Sequence, residues 1–303
     1  MRADMPDAIA TYGLIKYYGP IRGIEDLDLQ VDQGEIFGFL GPNGAGKTTT
    51  IRLLLDLIRP TRGRAQILGF DVHSQSLQVR RSVGVIPSDP VFFDSLRGRE
   101  HLALLESFHG PMDTERVARL AQRFDLDLDR PIRAYSRGMR QKLAIIQALA
   151  HDPALLLLDE PTMGLDPLMQ QEFYRALQEE QAQGKTVFLS SHMLPEVERV
   201  CDRVAIVRDG HLVAVEHVAE LKRRRVRKME VLLQRDAHPE DFAVDGVQVL
   251  RCEGPRAELA VTGHVAAVIQ RLSSLPLEDL VFPEPTLEDV FFQFYSGSES
   301  DEP

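Results

Sequence analysis

Apolar and polar positions change period repeatedly along the chain, and the changes mark out elements. Residues 35–40, apolar after Glu35, read as a buried strand, and 155–158 are a continuous run of four leucines. The leucine run predicts a strand buried on both faces, hence parallel and central in a sheet. Residues 24–31 alternate apolar and acidic side chains, as a half-exposed strand does. Residues 8–12, 65–68, 83–86 and 186–189 read as further short strands. Residues 204–207 and 212–215 flank Asp209-Gly210 and predict a hairpin. A helical period covers 50–58, stopped at Arg59-Pro60, and returns at 100–108 and 114–124. Met139, Leu143, Ile146 and Ala150 lie on one face of a helix that starts at Ser136 and stops before Pro153. Asp166-Pro167 opens another helix, running to about Gln183. Strands alternating with helices predict an α/β fold. The helical block at about 97–151 predicts a subdomain inserted into it.

From residue 217 the pattern starts afresh. Strands are expected near 229–233, 247–250, 258–261 and 278–282, with a helix at 265–272. A last helix is expected at 286–295, with Leu287, Val290, Phe291 and Phe294 on one face. This predicts a cassette over 8–216, a small α+β domain over 217–295, and a disordered acidic tail over 296–303. The run Lys222-Arg223-Arg224-Arg225-Val226-Arg227-Lys228 reads either as a solvated helix end and linker or as a contact for anionic lipid headgroups.

Composition narrows the classes. With 303 residues, 44% of them hydrophobic, the chain can build a large core and a smaller one. No stretch of roughly eighteen residues is apolar and free of charge, so no membrane span is expected. Two cysteines, Cys201 and Cys252, supply neither a disulfide framework nor a metal motif. A net charge of −11 argues against nucleic acid as a partner.

The chemistry gathers where strands end. Gly41-Pro42-Asn43-Gly44-Ala45-Gly46-Lys47-Thr48-Thr49 follows the 35–40 strand and fits G-x-x-x-x-G-K-[ST]. Glycines let successive N–H groups turn inward around phosphate oxygens, and the next helix points its positive end at the same anion. Lys47 suits the outer phosphates, and the Thr48 hydroxyl suits Mg²⁺. Asp159 and Glu160 follow the leucine strand. Asp159 suits Mg²⁺ through water, and Glu160 suits a water it orients or deprotonates. His192 ends the 186–189 strand, at the sheet edge where α/β folds bind ligands; a structural role is the plain alternative. Ser136 and Gly138 read as a helix cap or as a second phosphate contact. Tyr18 reads as packing under a loop or as a platform for a base.

Together these residues resemble the ATP-binding subunit of ABC transporters. Residues 41–48 match its Walker A loop, 155–159 its Walker B strand, and Glu160 its catalytic glutamate. Gly164-Leu165-Asp166 resembles the D-loop, His192 the switch histidine, and Tyr18 the aromatic that stacks on adenine. Residues 135–139 are similar to the LSGGQ signature, keeping Ser136 and Gly138 but carrying Tyr135 for leucine and Arg137 for glycine. Ser88 stands where the family has its Q-loop glutamine, with Asp89 beside it. Either Asp89, or Ser88 through water, takes the glutamine's place at the metal, or the contact is missing. The motif at 285–291 is similar to one in ATPase subunits of type-2 exporters. The resemblance implies a P-loop NTPase cassette with an antiparallel β subdomain and an inserted α-helical subdomain. It implies hydrolysis of ATP with Mg²⁺, a head-to-tail homodimer, a separate integral-membrane permease, and a place on the inner face of the cell membrane. The alternative is a non-transport ABC ATPase acting on a macromolecular partner. The single P-loop and the lack of a long coiled coil speak against it.

Overall fold

A computed structural model describes residues 7–223, 226–262 and 265–283. The chain divides into two compact units, one ending at Glu216 and the other beginning at His217. The first opens with β1 (Ile9–Tyr18) and β2 (Ile21–Val31), paired antiparallel. β1 runs beyond residue 12, where the apolar pattern ends. Gly13 sits at φ 52° and the pairing register shifts between Thr11 and Leu14, so a bulge carries the strand across the break in pattern. β3 (Ile36–Leu40) leads through the glycine loop into α1 (Lys47–Leu54).

The helix α1 starts and stops earlier than its apolar period suggests. Asp56 adopts φ 55°, its N–H bonds Leu53 O, and Leu57 N–H bonds Arg52 O. That is a Schellman stop built on an aspartate. β4 (Arg62–Ile67) and β5 (Phe70–Asp71) complete an antiparallel sheet in the order β2-β1-β4-β5.

Next come α2 (Ser76–Ser82), β6 (Val83–Ile86), α3 (Gly98–His109), α4 (Thr114–Arg123) and α5 (Arg137–Ala150). The last of these belongs partly to the sheet layer: a Cβ on Gly84 of β6 would stand 2.2 Å from Ala148 O, so α5 lies directly against the strand. β7 (Leu155–Asp159), α6 (Pro167–Ala182), β8 (Thr186–Ser191), α7 (Leu194–Val200), β9 (Arg203–Arg208) and β10 (His211–His217) finish the unit. The second sheet has six strands in the order β10-β9-β3-β8-β7-β6. β6, β7, β8, β3 and β9 pair parallel. Leu155 to Leu158 are fully buried, with β8 on one side and β6 on the other, while β3 and β8 hold the middle of the sheet. Phe188 packs 6.0 Å from Phe37 and 5.2 Å from Phe39 between ring centroids, which ties the two middle strands together.

The second unit contains α8 (Val218–Arg223), β11 (Val226–Leu233), β12 (Val247–Glu253), β13 (Arg256–Thr262), α9 (Val265–Leu272) and β14 (Leu277–Val281). Its antiparallel sheet has the order β12-β13-β11-β14. Met229, Val231, Leu233, Phe242, Leu259, Val268 and Leu272 form its core. Part of the basic run serves this unit. Arg227 donates to the carbonyls of Phe282 and Pro283 and lies 3.7 Å over the Phe282 ring, and Lys228 stands 3.9 Å from Glu258. Arg224, Arg225, the expected 286–295 helix, the 285–291 motif and the acidic tail lie outside the described residues.

Candidate nucleotide site

Parallel pairing sets the site. In register, Leu40 stands opposite Ser191, Asp159 opposite Ser190, and Ile86 opposite Leu158. Four strands thus end in one row. The segments that leave them carry the phosphate loop, Asp159-Glu160, His192 and Ser88. This is the carboxyl edge at which open α/β sheets take ligands.

The loop between β3 and α1 is held tightly. Gly46 caps α1 at φ 104°, and a Cβ there would lie 2.6 Å from Gly23 O of β2. Only glycine meets both demands. On the other side, Gly210 of the β9–β10 turn donates to Ala45 O and accepts from Glu25 N–H, bridging loop and β2. Lys47 is 6% exposed, and its Nζ donates to the carbonyls of Gly41 at 2.7 Å and Pro42 at 3.1 Å. The same ammonium sits 3.2 Å from Glu160 Oε1.

Asp159 is buried and both its oxygens are engaged. Thr48 Oγ1 donates to Oδ2 at 2.8 Å, and Ser190 Oγ donates to Oδ1 at 2.7 Å. Glu160 lies at φ 49°, a left-handed conformation that costs a residue with a side chain about 1–3 kcal/mol. Its N–H points to Ser190 O and Ser190 Oγ, each at 3.2 Å. The strained turn aims the carboxylate away from the strand. Oε1 reaches Lys47, and Oε2 lies 2.7 Å from His192 Nδ1.

A cavity of about 380 Å³ opens over these groups. Its wall includes Tyr18, Arg22, Asn43, Lys47, Thr48 and Glu160, and also Gly44, Gly46, Thr49 and Ser88. Tyr18 is 41% exposed, with Lys16 Nζ 5.1 Å from its ring centroid. Asp89 is exposed and does not line the cavity; Ser88 does. Gly41, Pro42 and Ala45 shape the loop from behind. Ser136 and Gly138 stand apart from the cavity, at the start of α5.

The family model for ABC transporter domains matches residues 24–163. The "Bacitracin transport ATP-binding protein" of Bacillus licheniformis is 32% identical, over 97% of this chain and 99% of that protein. The chain belongs to the ABC transporter family. It is an ATPase subunit of that family, and among the described residues no helix is long and apolar enough to cross a membrane. The "Daunorubicin resistance ATP-binding protein" of Streptomyces coeruleorubidus is 34% identical, over 94% of each chain. A solved "ATP binding subunit of ABC transporter" superposes with a TM-score of 0.66 at 32% identity, covering 71% of this chain and 92% of that one. A dimeric cassette "bound to ADP and Pi" shares the fold, with a TM-score of 0.64 at 24% identity over 69% of this chain and 98% of that one.

The ABC signature segment departs from its family pattern in two places, each with its own surroundings. Tyr135 is buried, and its hydroxyl donates to Asp127 O at 2.7 Å. Burial pushes its pKa up, so it stays neutral. Room for the ring comes from Gly98, where a Cβ would meet the Tyr135 hydroxyl at 2.6 Å. Arg137 is exposed, and its stem lies against Gly164. Ser136 caps α5 by accepting from Met139 N–H at 3.3 Å. A Cβ on Gly138 would come within 2.8 Å of Gly164 O, and Gln141 Nε2 donates to Pro161 O at 2.6 Å. The start of α5 is therefore pinned to the loop that follows Glu160. Motif reading missed Ser190, Gln141 and Gly210. The Ser190-Ser191 pair closing an apolar strand was a visible signal. Gly210 had a turn signal only, since its bond to Ala45 spans distant sequence.

Proposed function

We propose that the chain binds ATP with Mg²⁺ and hydrolyses it to drive export through a separate membrane permease. The observation that carries the reading is one cavity walled by Lys47, Thr48 and Glu160, with Asp159 bonded to Thr48 and His192 bonded to Glu160 behind that wall. Lys47 and the inward N–H groups of residues 41–49 hold the β- and γ-phosphates. Tyr18 offers its exposed ring to the base. The Thr48 hydroxyl and Asp159 carboxylate are hard oxygen donors in contact, a set that fits Mg²⁺, which supplies positive charge to the phosphates. Ser88 faces this group from the cavity wall. An incoming phosphate competes with Glu160 for Lys47, which frees Glu160 to accept a proton from water. His192 holds the other carboxylate oxygen and reaches the γ-phosphate side.

Two copies would pack head to tail, each presenting Ser136 and Gly138 to the other's nucleotide. Support comes from their not lining the cavity of their own chain and from the dimeric cassette of like fold. Closing on ATP and opening after hydrolysis biases a two-state interface, and that motion is the output. Export is favoured by the likeness to bacitracin and daunorubicin proteins over nearly the whole chain. The unit from His217 is then an accessory domain, since every nucleotide motif precedes it. The chain would sit on the inner membrane face through its permease.

The reading is tested by purifying the tagged chain from detergent-solubilised membranes of its own cells. Co-purification and Mg²⁺-ATP hydrolysis, lost in Lys47→Ala, are the expected results. A folded chain that hydrolyses ATP but binds no membrane protein would favour the non-transport alternative.

A further inference from the structure

Behind the site lies a buried acid that the proposed chemistry does not use. Glu196, in the first turn of α7, is 4% exposed. Ser191 Oγ donates to its Oε2 at 2.5 Å, and the Tyr174 hydroxyl of α6 donates to its Oε1 at 3.2 Å. Thr162, two residues beyond Glu160, is buried with its hydroxyl beside this carboxylate and the Tyr174 hydroxyl. Three elements therefore meet on one group.

Direction matters in this network. A carboxylate only accepts, so the Ser191 and Tyr174 hydroxyls point their hydrogens inward. Ser191, with its O–H committed to Glu196, has a lone pair free, and Met193 N–H donates to it at 2.9 Å. Residues 191 and 193 are thereby tied to one oxygen, and His192 is the residue between them. Thr162 fixes the loop on which Glu160 sits. Burial is the largest influence and leaves the Glu196 pKa raised on balance, the hydroxyl bonds offsetting part of that rise.

We propose that Glu196 is a positioning residue that holds His192 against Glu160 for ATP hydrolysis. It touches neither nucleotide nor water; it acts through the Ser191–Met193 turn and Thr162. The proposal rests on the assignment of Glu160 and His192 to hydrolysis. Glu196→Gln replaces an acceptor by a group that also donates, so the Ser191 or the Tyr174 hydroxyl must turn round. The His192 imidazole then loses its fixed place, and displacement of about 1 Å costs up to about a hundredfold in rate.

The test measures kcat and KM for Mg²⁺-ATP in the full-length wild type, Glu196→Gln, His192→Ala and the double variant. Expected are a fall in kcat of roughly ten- to a hundredfold in Glu196→Gln with KM within about threefold, and no further fall when it is added to His192→Ala. Ser191→Ala, which keeps the carboxylate and removes the link to Met193, should lower kcat in the same direction, and it serves if Glu196→Gln does not fold. A wild-type kcat in folded Glu196→Gln or Ser191→Ala overturns the proposal. An equal loss in both backgrounds overturns it too, leaving the hydrolytic roles intact. A wild-type rate in His192→Ala overturns the assignment of His192, and the proposal with it.

Discussion

Replacing Glu160 by glutamine isolates the proposed base with little change of shape. The backbone keeps its place, because its turn is set by the N–H contacts to Ser190 and not by the side chain. The amide oxygen can still accept from His192 Nδ1, now 2.7 Å from the carboxylate. Lys47 loses its partner at 3.2 Å but keeps the carbonyls of Gly41 and Pro42. The cost in stability is therefore expected at about 1–2 kcal/mol, the worth of one close charge contact, and not the several expected of a stranded buried charge. The catalytic cost is larger. A positioned base contributes about 10²–10⁴ in rate, or ~3–5 kcal/mol of barrier. ATP affinity should hold or rise, because Lys47 no longer has a carboxylate competing with the phosphate. Phosphate release at saturating Mg²⁺-ATP gives the first quantity, and nucleotide titration by calorimetry gives the second. Light scattering with ATP present should also show dimer accumulating in the variant. A kcat within about fivefold of wild type, in protein of unchanged fold, would refute the assignment of Glu160 as base.

Three further outcomes are expected. Asp89→Ala should leave the Mg²⁺ concentration for half-maximal ATPase unchanged, because Asp89 is exposed and off the cavity wall; a severalfold rise would put it back at the metal. A chain ending at Glu216 should bind ATP with wild-type affinity in calorimetry, since the cavity is lined wholly by residues before that point; a large loss of affinity in folded protein would contradict the division. Asp152 is held below its usual pKa first by its hydrogen bond from Lys185, so it adds stability above about pH 4 that is lost as pH falls through its lowered value. Asp152→Asn should thus cost up to about 1 kcal/mol at pH 7, small because the carboxylate is 63% exposed, and less near pH 3; urea midpoints at the two pH values measure it, and an equal cost at both would exclude the pairing as the cause.

Much of the site was legible because its chemistry is local in the chain. Nine consecutive residues, 41–49, encode a loop, a helix start, a lysine and a hydroxyl, and each acts within a few ångströms of its neighbours. Four leucines before Asp159 told both the strand and the end at which the acids emerge. Helix starts were legible for the same reason, as at Ser136 and Asp166, where the capping oxygen serves N–H groups two or three residues on.

Contacts between distant residues were not legible, and tertiary structure decided them. Parallel register chose Ser190 as the partner of Asp159, and folding of α6 and α7 brought Tyr174 and Ser191 to Glu196. A short apolar pattern cannot say that Gly13 will bulge where that pattern stops, or that Asp56 will stop α1. Adjacent serine and aspartate at 88 and 89 are equally polar in sequence; only the course of the chain after β6 turned one to the cavity and the other to solvent. Sequence determines what each residue can donate, accept or bury over one turn of chain. Which of those capacities meet across the sheet edge depends on long-range packing, whose free energy is shared by the whole core and carries no local pattern.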